Sequence, residues 1–215
     1  MQAQAAQLPQ LAFEVESAQA VEYAAAPTLA FALRITSDLP VRSLALNTQI
    51  RIAPARRRYS DRDRERLVDL FGPPERWGET LRTFRWTQAS VLVPPFDVST
   101  VVELAVPCTY DFEVATAKYF YALDDGDVPL ELLFSGTVFY LADGARLQTA
   151  QIPWESEAPF RLPVQVWKQA LEAHFPHSAW LRVRDDTFAR LAEYKSQHAL
   201  PTWEATFDRL LEGPE

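Results

Sequence analysis

The chain has 215 residues, of which 48% are hydrophobic and 12% aromatic, and a formal net charge of −8 at pH 7. That apolar content excludes a disordered chain, and the length suffices for one sizeable core. The acidic balance excludes non-specific nucleic-acid binding, which needs clustered Lys and Arg against phosphates, and it disfavours adsorption to an anionic membrane surface.

Sixteen prolines against six glycines predict stiff, extended connections, because proline fixes its own φ and restricts the residue before it. A single cysteine, Cys108, excludes an intramolecular disulfide and any cysteine-rich zinc or iron–sulfur site. MQAQAAQLPQ shows neither the basic nor the apolar segment of a signal peptide, and no apolar run approaches the ~20 residues that cross a bilayer. The expectation is a soluble cytoplasmic protein without membrane insertion.

Residues 1–10 read as a frayed start, followed by one α+β domain over 11–215, mainly β to residue 160 and mainly helical from 161. The first strand signals are Phe13 and Val15, then Val21 and Tyr23. In TLAFALRIT, Leu29, Phe31, Leu33 and Ile35 alternate with smaller or polar residues, the period of a half-buried strand. Ser37 to Pro40 breaks the pattern. A second strand follows, with Leu44, Leu46, Thr48, Ile50 and Ile52 on one face. Their adjacency predicts that these two strands pair with each other.

Ser60 caps a short helix, SDRDRERLVDLFG, which Gly72 and two prolines end. A loop bearing Trp77 leads to further strand patterns, through Phe84 and Trp86 and on to Tyr110, Phe112 and Val114. ATAKYFYAL shifts to helical spacing, predicting a helix over Ala115–Leu123 that stops at Asp124-Asp125-Gly126. The next segment reads as a hairpin about Ala142-Asp143-Gly144, with Gly136 marking a bulge or a close backbone approach. From Pro163 onward three helices are expected, with Val166, Ala170 and Phe175 near one face of the first and Trp167 and Leu171 beside them, a cap at Asp185 or Asp186 on the second and at Thr202 on the third. The fold class is thus α+β: an antiparallel β-sheet or β-sandwich core with a short inserted helix and C-terminal helices packed on it.

Chemistry is harder to find. His174, His177 and His198 are the only imidazoles, and surface histidines at a helix end describe them better than metal ligands do. Cys108 reads as a small buried hydrophobe in a strand. Asp124, Asp125 and Asp127 lack the spacing and closing glutamate of a calcium loop. Neither a catalytic constellation nor a cofactor is expected. The run ARRRYSDRDRER carries Arg56, Arg57, Arg58, Arg62, Arg64 and Arg66, interleaved with Asp61, Asp63 and Glu65. Internal ion pairs on a solvated helix account for most of it; any function would be docking an acidic partner. Among six tryptophans, Trp77 is the expected exposed one, so Arg56, Arg57, Arg58, Arg62 and Trp77 form the candidate interaction surface.

At VPCTYDFEVATAKYFYAL, DGDVPLELLFSGTVFY, QIPWESEAPFRLPVQVW, AWLRVRDDTFARL and LPTWEATFDRLL the chain resembles an uncharacterised bacterial domain-of-unknown-function family, across nearly its whole length. Some members lie in gene neighbourhoods with uptake nickel–iron hydrogenases. The resemblance implies a non-enzymatic accessory role in assembly or maturation of that enzyme, with hydrogenase subunits or maturation factors as partners. The chain lacks the His- or Cys-rich tract of a nickel carrier, so such a role would be protein binding rather than metal delivery. A second expectation is a holdase-like module whose sheet presents Phe134, Phe139 and Tyr140; a third is an enzyme with an unrecognised site.

Overall fold

The computed structural model describes residues 8–109, 111, 114–142, 146–178 and 181–213. The elements in chain order are β1 (Leu11–Ala20), β2 (Thr28–Ser37), β3 (Val41–Ile52), α1 (Asp61–Phe71), α2 (Trp77–Thr80), β4 (Phe84–Val93), β5 (Ser99–Pro107), α3 (Ala115–Ala122), β6 (Asp127–Ala142), β7 (Arg146–Gln151), β8 (Glu157–Pro163), α4 (Val164–His174), α5 (Asp185–Gln197) and α6 (Trp203–Leu211). They fall into two compact units, Met1–Ala179 and Trp180–Glu215.

In the first unit alternation along each strand places one apolar row inward. Leu29, Phe31, Leu33 and Ile35 of β2 and Leu44, Leu46, Thr48, Ile50 and Ile52 of β3 are all buried. The two strands nonetheless do not pair with each other. β2 lies between β1 and β5 in one antiparallel sheet, and β3 lies between β4 and β6 in another, whose order is β4-β3-β6-β7 with β8 also on β6. The expected β2–β3 hairpin is therefore corrected to a crossing between sheets. The reason is burial: each strand is long and largely apolar on one side, and two facing layers cover both rows where a hairpin would leave one face open. Ser37 makes the turn, its hydroxyl donating to Leu39 O at 2.6 Å, and Val41 then exchanges backbone bonds with Phe96 at 2.8 and 3.0 Å.

Aromatic pairs join the layers. Phe13 of β1 stacks on Phe134 of β6 with centroids 4.3 Å apart, and Phe31 of β2 meets Phe160 of β8 edge-on at 5.9 Å. The result is an antiparallel sandwich with helices, an α+β fold.

β6 is the spine of the second sheet. Its N-terminal half pairs with β8 over Asp127–Leu133 and its C-terminal half with β7 over Thr137–Ala142. Gly136 sits between the two stretches at φ +141°, and a Cβ there would lie 1.9 Å from Ala45 O of β3. The close approach expected at this glycine is thus real and backbone-to-backbone. The turn from β7 to β8 hangs from the same place: Ile152 N–H donates to Gly136 O at 3.0 Å and Phe134 N–H to Ser156 O at 2.9 Å. β8 has no counterpart among the sequence expectations. Its prolines, Pro159 and Pro163, obscured an edge strand in which Ala158 and Leu162 are buried.

The inserted helix forms as expected. α3 carries Tyr119 and Phe120 into the core, and α4 stacks Trp167 on Phe120 at 4.8 Å. The buried face of α4 is Val164, Trp167, Ala170 and Leu171, so the row centres on the expected Trp167, Ala170 and Leu171 rather than on Val166 and Phe175. His174 at its end has ring nitrogens 2.9 Å from both Ala170 O and Ala24 O, tying α4 to the β1–β2 connection.

The second unit, taken by itself, is a helical pair. Thr202 caps α6 by accepting from Ala205 N–H at 3.1 Å, as its position predicted, and Lys195 donates to Leu200 O and Pro201 O at 2.8 and 3.2 Å. Phe188 meets Trp203 at 5.2 Å. Among the described residues of α5 and α6 only Thr206 is buried. Residues 1–7 of the expected frayed start, Tyr110 and Phe112 of an expected strand, the hairpin turn at Asp143-Gly144, and Trp180 lie outside the described residues.

Candidate functional site

The arginine run lies where β3 leaves the sheet and turns into α1. One 3₁₀ turn, Pro54–Arg56, redirects the chain, and Ala53 N–H holds it to Pro129 O of β6 at 2.9 Å. Ser60 then starts α1 with a reciprocal capping box: its Oγ accepts from Asp63 N–H, and Asp63 Oδ2 accepts from Ser60 N–H, both at 3.1 Å. Asp63 is 4% exposed, and its other oxygen accepts from Asp124 N–H at 3.1 Å.

Arg57 fills the space between these segments. Its side chain is only 7% exposed and lies 3.8 Å from Asp63 Oδ2. Its terminal nitrogens donate to Asp125 O at 3.1 Å and Asp127 O at 3.2 Å, and its guanidinium stands 5.1 Å from the Tyr59 ring centroid. Gly126, between those two carbonyls, takes φ +84° so that both face the guanidinium. The Asp124–Asp127 turn that superficially resembles a calcium loop is closed by this arginine. Its leading carboxylate, Asp124, accepts from Arg66 at 2.6 Å and lies 3.4 Å from Arg62.

The other arginines sort by partner. Arg56 binds Glu131 at 2.8 Å on an oxygen opposite the one 3.4 Å from Arg51. Arg64 lies 3.5 Å from Asp61. Arg58 is exposed and has no carboxylate partner among the described residues. Neither has Arg161 of β8, whose guanidinium lies 3.5 Å from Arg56 O. Ala55 to Arg58, Gly126, Asp127 and Arg161 surround a cleft of about 520 Å³. Four arginines and one acidic residue, Asp127, thus line a cleft on a chain of net charge −8.

Of the expected surface, Arg56 and Arg58 border this cleft, Arg57 is its structural floor, and Arg62 points to Asp124 instead. Trp77 is half-buried, not open. Its indole N–H donates to Gly72 O at 2.9 Å and its ring packs edge-on against Tyr59 and Phe71, at 5.2 and 6.3 Å. Among the described residues the exposed tryptophan is Trp154, at 84%, on the β7–β8 turn. Arg161 was not foreseen, because the strand that carries it was not.

A second polar feature adjoins the cleft. Tyr59 donates to Pro54 O at 2.8 Å and receives the Tyr119 hydroxyl at 2.7 Å. Burial pushes Tyr119 up to about 12 and Tyr59 further still above the ordinary tyrosine range, so both remain neutral donors in a rigid pair. The remaining expected sites are structural. Cys108 is 4% exposed and burial pushes its thiol up to about 12, which opposes thiolate chemistry. The described residues contain no group of three or more His, Cys, Asp or Glu able to hold a metal ion. His177 is turned to solvent beside Glu172. Phe134 and Tyr140, expected on an open apolar face, are 2% and 1% exposed and belong to the interior.

Residues 8–215 match a family described as "Family of unknown function (DUF6084)", and the chain belongs to that family. No curated protein matches the chain. Among solved structures, a selenomethionine-labelled β-glucosidase from Kluyveromyces marxianus aligns at 7% identity and a TM-score of 0.28, over 71% of this chain and 15% of that one. No helix among the described residues is long and apolar enough to cross a membrane.

Proposed function

We propose that this member of the family of unknown function DUF6084 is a non-enzymatic accessory protein of the cytoplasm that docks an acidic segment of a partner protein. The observation that carries the reading is the arginine-lined cleft, net positive on a chain whose formal charge is −8. An isolated positive concavity on a negative surface favours encounter with one kind of patch and repels most others. Polyanionic nucleic acid would meet the repulsion of the whole chain and too few cations. The resemblance to a family with members encoded beside nickel–iron hydrogenases makes subunits or maturation factors of that enzyme the first partners to examine.

The test is affinity capture at native expression level, run in parallel on wild type and on the charge-reversed Arg58→Glu/Arg161→Glu variant. Stoichiometric recovery of one partner by wild type, lost in the variant, supports the reading; its identity as a hydrogenase component supports the assembly role. No partner enriched over the variant overturns it.

A further inference from the structure

The arginines of this region divide into those that face a carboxylate or turn carbonyls and those with no carboxylate partner among the described residues. Arg57 is occupied by two backbone carbonyls and Asp63, and Arg62, Arg64 and Arg66 each face a carboxylate of α1 or of the adjoining turn. Arg51 and Arg56 share Glu131, itself 14% exposed in its side chain, which fixes where the Arg56 guanidinium stands. Arg58 and Arg161 alone of the cleft's four arginines combine exposure with the lack of a carboxylate among the described residues. They approach from different elements, the β3–α1 connection and β8. The Arg161 guanidinium lies 3.5 Å from Arg56 O, and the Arg56 guanidinium is held by Glu131 at 2.8 Å.

Arginine forks left free on an acidic protein are the arrangement that receives carboxylates bidentately, and adjacent forks receive more than one. The geometry points to Arg58 and Arg161, on the cleft that Arg56 also lines, as the seat for two carboxylates of a short extended Asp/Glu-rich peptide. This rests on the docking role proposed above and names its contact residues. A single phosphate is the poorer occupant on two counts. The cleft, at about 520 Å³, is far larger than one oxyanion, and Asp127 at its edge would repel a dianion more strongly than a spaced pair of monoanions.

The experiment uses the full chain and a fluorescein-labelled hexaglutamate peptide, with fluorescence anisotropy at low and at physiological salt. Wild type is compared with Arg58→Gln/Arg161→Gln and with Arg62→Gln/Arg66→Gln, which alters the same arginine-rich segment but not the cleft. The expected result is salt-sensitive binding that weakens at least about tenfold in the first variant and stays within about twofold in the second. Equal binding by wild type and the Arg58/Arg161 variant overturns this assignment while leaving acidic docking intact. Equal losses in both variants overturn it too, because general charge would then suffice. If the peptide fails to bind while inorganic phosphate displaces the Arg58 and Arg161 side-chain signals in NMR, the cleft is a small-anion site and the peptide assignment falls. Failure of both probes overturns the assignment, and the capture experiment then decides separately whether docking occurs elsewhere on the chain.

Discussion

Replacing Arg57 with methionine keeps most of the side-chain volume and removes only the charge and the donors. Three partners are then stranded. Asp125 O and Asp127 O lose donors at 3.1 and 3.2 Å, and Asp63, 4% exposed, loses the cation 3.8 Å away. Charge-assisted hydrogen bonds contribute about 1.5–3 kcal/mol each, and breaking a buried ion pair on one side costs about 3–5 kcal/mol. The turn carbonyls can rehydrate, and Asp63 keeps the N–H groups of Ser60 and Asp124, so the low end applies. We expect a loss of about 3 kcal/mol, or about 6–12 °C in Tm for a chain of this size. Differential scanning calorimetry on Arg57→Met, with Arg58→Met as the exposed control, reads this directly. Arg58→Met is expected within about 0.5 kcal/mol of wild type. If the two variants melt together, Arg57 does not rivet the turn to α1, and the division between structural and receiving arginines collapses.

Thr48 is fully buried on the inner row of β3, and its hydroxyl has no partner among the described residues. Thr48→Val is nearly isosteric and removes that orphan, so the urea midpoint is expected to rise by the equivalent of about 1 kcal/mol; a fall would mean the hydroxyl is bonded in solution. Gly136→Ala adds a Cβ 1.9 Å from Ala45 O at φ +141°, and the strained backbone alone costs about 1–3 kcal/mol. A loss above about 3 kcal/mol is expected by the same urea assay, whereas a melt like wild type would exclude the close β3–β6 approach. The Cys108 thiol, pushed up to about 12 by burial, stays protonated in the fold while it ionises near pH 9 when unfolded. Its contribution to stability is therefore complete below pH 9 and is lost as pH rises toward 12. Cys108→Ala should flatten that alkaline decline in urea titrations, and at pH 8 native Cys108 should react with a disulfide reagent only as fast as the chain unfolds; prompt labelling would show the thiol to be open.

How legible all this was depended on the range of the interactions involved. The inner rows of β2 and β3, the cap at Ser60 and the helix over α3 follow from periodicity and local hydrogen bonding, which neighbouring residues determine. Sheet membership does not: alternation states that Leu33 and Leu46 are buried, not which strands lie beside them, and adjacency in sequence suggested a pairing that the need to cover both apolar faces overrode. β8 was hidden because proline lowers strand propensity without forbidding an edge position. Trp77 was misplaced because a Pro/Gly-rich loop reads as open, while Tyr59 and Phe71 close over the ring from either side.

The cleft combines these failures. Sequence alone offered six arginines between residues 56 and 66 interleaved with three acids, Asp61, Asp63 and Glu65, and a run of alternating charge is ordinarily largely self-neutralising. Folding changes the pairing rules. Asp124, Asp125 and Asp127 arrive from 58 to 70 positions away, Asp124 by its side chain and the other two by their carbonyls, and they absorb Arg57, Arg62 and Arg66. Asp61 and Asp63 are spent within α1 and its cap. Arg58 is left over, and β8 delivers Arg161 to the same cleft. A surplus of charge at one place is a property of the whole set of tertiary partners, so interleaved charges predict internal pairing where the fold leaves two guanidiniums without a carboxylate among the described residues.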